Sequence, residues 1–234
     1  MKPEVIYGIR PVVEALRSVR RRVFEVLDAV GDAEVEKAAR TRGVAVKRAS
    51  RQQIEDLAHG GVHQGVAARV EPYSYSGLDE ILTAPEPLVL ILDGVTDPHN
   101  LGAVLRVADG AGASGVVIPK DRAVGVTASA VKASAGASEH VRVARETNLR
   151  RAIDRMKEAG VWVYAAGMDG TPYTRLDLAG PVAFVLGSEG RGVRRLVREG
   201  CDGAVSIPML GAVESLNVSV ATAVLMYEAR RQRG

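Results

Sequence analysis

The sequence predicts two α/β units in one chain, the larger built on a mainly parallel sheet with helices on both faces. Three observations carry this expectation. Strand-like apolar runs alternate with helical patterns along almost the whole chain, a proline-rich stretch interrupts them near residues 71–87, and three later runs lead into loops of glycine and other small residues.

Before the interruption, helical spacing covers residues 11–18 and 33–42, and extended runs cover 23–27, 44–47 and 65–70. Ser50 and Gln53 have the spacing of a capping box and predict one more short helix. Pro72, Pro85 and Pro87 bracket the interruption, so the expected division is a domain over 1–72, a flexible linker over 73–86 and a second domain over 87–234. Beyond it, strands are expected at 88–92, 116–118, 141–143, 161–166, 182–186 and 204–207. Asn148 caps a helix stopped by Gly160, and Gly200 follows another over 191–199. The closing helix, 217–231, has no charge from Asn217 to Tyr227 and is apolar around most of its circumference. A one-sided surface helix does not look like this: its second side meets another copy of the chain or the same core.

With 47% hydrophobic and 25% charged residues over 234 positions, the chain can bury a core and is not compositionally disordered. Its longest strongly apolar stretch, Leu88 to Leu92, is too short to span a bilayer, and a single cysteine, Cys201, makes neither an intrachain disulfide nor a multi-cysteine metal cage. No membrane, no metal and a reducing cytoplasm are the expectations. The net charge of +3 lies wholly in residues 1–72, which hold 13 Lys and Arg against 10 Asp and Glu. Arg17, Arg20, Arg21 and Arg22 crowd together there, either a phosphate footprint or a solvated helix end.

Several familiar chemistries fit poorly. Gly110, Gly112 and Gly115 match the dinucleotide pattern G-x-G-x-x-G, but they close a helix and lead into a strand, the reverse of what a pyrophosphate site needs. His59 and His63 flank two helix-breaking glycines and lack a metalloprotease glutamate, there is no P-loop, and no G-x-S-x-G elbow occurs. Cys201 reads as a packed thiol.

Three loops remain: LDGVTDPHNLGAVLRVADGAGASGVVIP (92–119), FVLGSEGRG (184–192) and IPMLGAVESLNVSVATAVLMYEARRQ (207–232). Together they resemble the three motifs of the SpoU (TrmH) family, S-adenosylmethionine-dependent RNA ribose 2'-O-methyltransferases of the SPOUT class. The strings YGIRPVVEAL (7–16) and HQGVAARV (63–70) resemble the amino-terminal domain of the subgroup that methylates a guanosine in large-subunit (23S) ribosomal RNA. The resemblance implies a small L30e-like substrate-binding domain, a carboxy-terminal SPOUT domain with a deep trefoil knot, and a homodimer whose active site is completed at the subunit interface. By position it assigns cofactor contacts to Leu186, Gly187, Ile207, Met209 and Leu216. Asn100 and Arg106 match the polar pair of the first motif, Glu189 the acid of the second, and Ser215 with Asn217 the polar residues of the third. Glu214 departs from the smaller or neutral residue expected beside Ser215.

On their own chemistry these residues keep plainer alternatives: Asn100 and Ser215 as helix caps, Glu189 and Arg106 as a structural ion pair. Arg106 suits a phosphate or a developing alkoxide because its fork of donors stays charged, and that permanence makes it a poor proton acceptor. Glu189, water and an RNA phosphate remain open for that role. With two Phe and six Tyr in the chain, base stacking is a sparse device, for which Tyr73 and Tyr75 are the candidates. The rival readings are a transfer-RNA enzyme of the same family, a noncatalytic RNA-binding protein, and a nicotinamide enzyme using Gly110.

Overall fold

The computed structural model describes residues 3–188 and 190–234. The first unit comprises β1 (Glu4–Tyr7), α1 (Ile9–Arg17), β2 (Val23–Asp28), α2 (Ala33–Arg42), β3 (Val46–Arg48), α3 (Arg51–Ala58) and β4 (Val66–Val70). After α4 (Leu78–Leu82), the second runs β5 (Leu88–Asp93), α5 (Pro98–Gly110), β6 (Gly115–Pro119), α6 (Ala128–Ala133), β7 (Val143–Glu146), α7 (Leu149–Glu158), β8 (Trp162–Pro172), β9 (Val182–Gly187), α8 (Arg195–Arg198), β10 (Gly203–Ser206) and α9 (Val218–Gln232). Among the described residues the strands form one sheet of order β1-β4-β2-β3 and a larger one of order β10-β8-β9-β5-β6-β7, in which every neighbouring pair is parallel.

The larger sheet follows from its sequence. β5, LVLILD, is buried at all its positions, as a central strand covered on both faces must be. From β5 the chain steps outward through β6 and β7, then returns to β5's other side with β8, β9 and β10. The direction of winding therefore reverses between β5 and β9, where an open parallel sheet leaves a crevice at its carboxyl ends. Local signals set the helix boundaries. Ser50 and Gln53 make both halves of the capping box, at 3.2 and 2.8 Å, and Asn148 Oδ1 accepts from the Arg151 N–H at 3.1 Å.

Residues 73–86, expected to be a flexible linker, are folded against the larger sheet. The Ser76 N–H donates to the Val143 carbonyl at 2.9 Å, and Leu78 and Ile81 of α4 are buried. Ile81 also explains a residue of the fingerprint lookalike: a Cβ on Gly115 would come within 2.5 Å of Ile81 Cδ1. Gly110 ends α5, and Gly112 turns the chain at φ +68° into β6. These glycines are a helix stop and a close packing point.

The two sheets share a continuous apolar core running from Val12 and Leu16 of α1 to Leu105 of α5 and Val131 of α6. At the joint, Arg21 is buried and grips Glu139, also buried, through Nε at 3.0 Å and Nη2 at 2.5 Å. Ser18 Oγ donates to the Glu139 carbonyl at 2.8 Å, and Tyr73 donates its hydroxyl to the Ser138 carbonyl at 3.2 Å. This corrects two expectations. Arg21 is not part of a phosphate footprint, because leaving either partner of a buried bidentate pair alone would cost about 3–5 kcal/mol. Tyr73 and Tyr75 are not free stacking platforms either. Their rings meet edge to face at 5.1 Å, half-buried against the core, burial pushes the Tyr73 phenol up, and the Tyr75 hydroxyl accepts from the Val126 N–H at 2.9 Å.

Candidate active site

The crevice predicted by the winding reversal is present. β5 and β9 end side by side, with Asp93 opposite Gly187 in the register, and β8 and β10 lie beyond β9. A cavity of about 450 Å³ opens beside these ends. Its walls include Leu186, Gly187, Ile207, Met209 and Leu216, with Ser215 at the side. The five residues matched to cofactor binding thus come from two loops separated in sequence and meet around one space.

Gly187 is where the chain cannot carry a side chain. A Cβ there would lie 1.9 Å from the Gly192 carbonyl carbon and 2.3 Å from the Val193 nitrogen, because the loop folds back onto the end of β9. Asp93 holds that fold-back. Its carboxylate, buried at the end of an otherwise apolar strand, accepts from the Arg194 backbone N–H at 2.8 Å and from Arg194 Nε at 2.7 Å, while its carbonyl accepts from the Ser188 N–H at 3.1 Å. Sequence reasoning missed Asp93 and Arg194. The available signal was the acidic end of LVLILD, since a carboxylate finishing a fully apolar strand needs a partner.

The helix-cap alternatives resolve differently for each residue. α5 is capped by Asp97, whose Oδ1 accepts from the His99 N–H at 2.9 Å, so Asn100 sits inside the first turn. α9 is capped by Asn217, whose Oδ1 accepts from the Ser219 N–H at 2.9 Å, so Ser215 is not the cap. Asn217 Nδ2 donates to Asn100 Oδ1 at 3.0 Å, which ties the first loop to the third. Arg106 is not among the cavity's walls. It stands exposed on α5, one turn before Gly110, where a Cβ would approach the Tyr227 hydroxyl of α9 to 2.8 Å. Glu189 lies outside the described residues.

On α9, Val218, Thr222, Leu225, Met226 and Ala229 are buried. The opposite face carries Val220 and Tyr227, exposed at 47% and 52%, which leaves an apolar stripe beside the helix that bears Arg106. Cys201 is a packed thiol: burial pushes its pKa up to about 11, away from nucleophilic use. Among the described residues, no cluster of three His, Cys, Asp or Glu could hold a metal ion, and no helix is long and apolar enough to cross a membrane.

A parallel sheet with a crevice at its winding reversal, walled by two late loops and joined to a small α/β unit, defines an α/β protein with a small-molecule site at its switch point. The family-model match over residues 87–227 shows that the chain belongs to the SpoU rRNA Methylase family, and residues 5–76 match RNA 2'-O ribose methyltransferase substrate binding. Among its relatives is the 23S rRNA (guanosine-2'-O-)-methyltransferase RlmB of Photobacterium profundum, 45% identical over 243 residues, covering 100% of this chain and 99% of the relative. The enzyme of the same name from Escherichia coli is 44% identical over 241 residues, covering 98% and 99%. The SpoU methyltransferase AviRb from Streptomyces viridochromogenes, solved in complex with the cofactor AdoMet, superposes with a TM-score of 0.83 at 25% identity, over 99% of this chain and 91% of that one.

Proposed function

We propose that this protein transfers a methyl group from S-adenosylmethionine to the ribose 2'-hydroxyl of a guanosine in 23S ribosomal RNA, in the cytoplasm. The observation that carries the reading is the glycine-closed cavity at the reversal point, in a chain about 45% identical, end to end, to enzymes named for that reaction. The cavity fits the cofactor. Its volume lies in the range of small-molecule sites, Leu186, Ile207, Met209 and Leu216 offer apolar walls, and Gly187 lets main-chain N–H and C=O groups approach an adenine edge. When bound, S-adenosylmethionine supplies an electrophilic methyl group.

The chain's own residues then have positional work. Asn217, bonded to Asn100, lies in sequence between the cavity-wall residues Leu216 and Val218, so the pair fixes the third motif against the first, with Ser215 at the wall; Glu189 follows Gly187 by two positions in sequence. Arg106 grips the target nucleotide's phosphate and stabilises charge developing on the attacking oxygen, since much of this barrier is a matter of placement. In this reading residues 1–72 present the RNA, 73–86 connect, and 87–234 form a knotted domain in which the last loop and α9 thread through an earlier one.

The active unit is a homodimer. Val220 and Tyr227 form the seam, and docking a second copy there brings the arginine of one protomer toward the cavity of the other, which accounts for an exposed Arg106 outside its own cavity. Val220→Asp, at a position half open to solvent, is expected to leave a folded monomer in sedimentation and to cost most of the activity; a monomeric parent protein overturns the dimer. An experimental structure with the cofactor bound reads the chain crossing and the partner's arginine together.

The decisive assay offers the purified protein labelled S-adenosylmethionine with unmodified ribosomal and transfer RNA and maps the product. Label on one guanosine 2'-oxygen of 23S RNA is expected. Label on transfer RNA alone overturns the substrate, and no label on either overturns the enzyme.

A further inference from the structure

The arginines around the turn after α1 are not equivalent. Arg17 is held by Glu14 and Glu34 at 2.8 and 2.9 Å, and Arg21 is sealed against Glu139. Arg20, Arg22 and Arg42 form no side-chain ion pair among the described residues, and all three line one open cleft of about 640 Å³ between the turns that follow α1 and α2. Phe24, exposed at 43%, is in the same cleft. The one carboxylate there, Glu71, accepts from the Arg22 backbone N–H at 3.3 Å.

β2 shows that the ring's exposure is built in. Val23 and Val26 are both buried, although residues three apart on a regular strand face opposite sides. The conflict is resolved by an irregularity: Val23 pairs with Val70 and Glu25 with Arg69, so Phe24 is the extra residue of a bulge. A bulge re-aims a side chain, and this one turns the ring out of the ladder toward the cleft. The Arg22 guanidinium lies over it, 5.3 Å from the centroid.

We propose that this cleft is a subsite for a single-stranded stretch of the RNA substrate, with one base stacking on Phe24 and neighbouring phosphates on Arg20, Arg22 and Arg42. The inference rests on RNA being the substrate and adds how the small unit grips it. A duplex hides its base faces, whereas an unpaired base offers a π-face that an exposed aromatic ring among arginines can hold in any sequence. A second copy is the poorer occupant, because a two-fold contact would set three arginines against the same three.

The test uses the full-length chain and a fluorescein-labelled single-stranded RNA of roughly 12 nucleotides, with a second oligonucleotide in which abasic sites keep the phosphates and remove bases. Phe24→Ala is expected to weaken binding of the intact oligonucleotide by about tenfold and to erase most of the difference between the two, with Phe24→Trp restoring both. Its salt slope stays that of the parent. Arg42→Gln instead lowers the slope by about 0.7, one phosphate's worth on a single strand, and weakens both oligonucleotides alike. Calorimetry with S-adenosylmethionine checks that each variant is folded. If Phe24→Ala binds both oligonucleotides as the parent does while the parent still methylates ribosomal RNA, the subsite is wrong and the function stands. A Phe24→Ala chain that changes only its sedimentation makes the cleft a protein contact, which also overturns the proposal. A parent that neither binds nor methylates RNA removes the premise as well.

Discussion

Arg106→Ala is expected to lower kcat for methyl transfer on the order of 100-fold or more while leaving the affinity for S-adenosylmethionine intact, because Arg106 acts on the nucleotide and is not a wall of the cofactor cavity. The same variant should keep the parent's unfolding midpoint, since the side chain is exposed and has no ion pair among the described residues. Arg106→Lys keeps the charge and loses the fork, so it recovers part of the affinity for RNA and little of the turnover. Single-turnover methylation at saturating RNA, with cofactor calorimetry beside it, separates the two effects. Near-normal turnover in Arg106→Ala with intact cofactor binding would remove arginine from the chemistry.

That prediction draws on residues legible in the sequence, and the contrast with those that were not is physical. The starts of α3 and α7 were readable because their causes are local: Ser50 with Gln53 and Asn148 before its helix act within three residues, whereas the helix expected over 191–199 is confined to Arg195–Arg198. The alternating apolar runs located the larger sheet because a parallel strand buried on both faces is apolar throughout, as β5 is. Resemblance at the glycine loops then marked residues that the fold gathers around one cavity. What escaped was set by distant partners. Nothing near Arg21 distinguishes it from Arg20 or Arg22; its inward turn depends on Glu139, 118 positions away. The clasp of Asp93 on Arg194 spans 101 positions. α4 was hidden for another reason: five helical residues between turn signals look like linker until Ile81 meets the gap above Gly115. Phe24 combined both difficulties, since a bulge depends on the partner strand's register.

Gly187→Ala is expected to raise the dissociation constant for S-adenosylmethionine at least tenfold, about 1.4 kcal/mol. The cause is space, not backbone angle. The atoms a methyl group would meet, the Gly192 carbonyl and the Val193 nitrogen, are main chain and cannot rotate aside, so the loop must leave the position in which Asp93 holds it. Overpacking of this kind costs about 1–3 kcal/mol, which should appear as a modest fall in the unfolding midpoint alongside the larger loss of cofactor affinity. Parent-like affinity in calorimetry would mean that the cofactor does not use this cradle. The variant also gives Arg106→Ala a partner for a sharper test of the shared site. If each cavity works with its own arginine, a mixed dimer of the two variants has one defect in each site and stays as impaired as the separate variants. If the arginine comes from the opposite protomer, one site of the mixed dimer combines an intact cradle with an intact arginine, and the other carries both defects. Assayed at a cofactor concentration no higher than the parent's dissociation constant, where the Gly187→Ala site is largely empty, an equal mixture of the two impaired proteins with free subunit exchange should then reach roughly a quarter of the parent activity, because half the dimers are mixed and each has one working site. Activity that stays at the level of the separate variants, with exchange confirmed by mass, would place catalysis within a single chain.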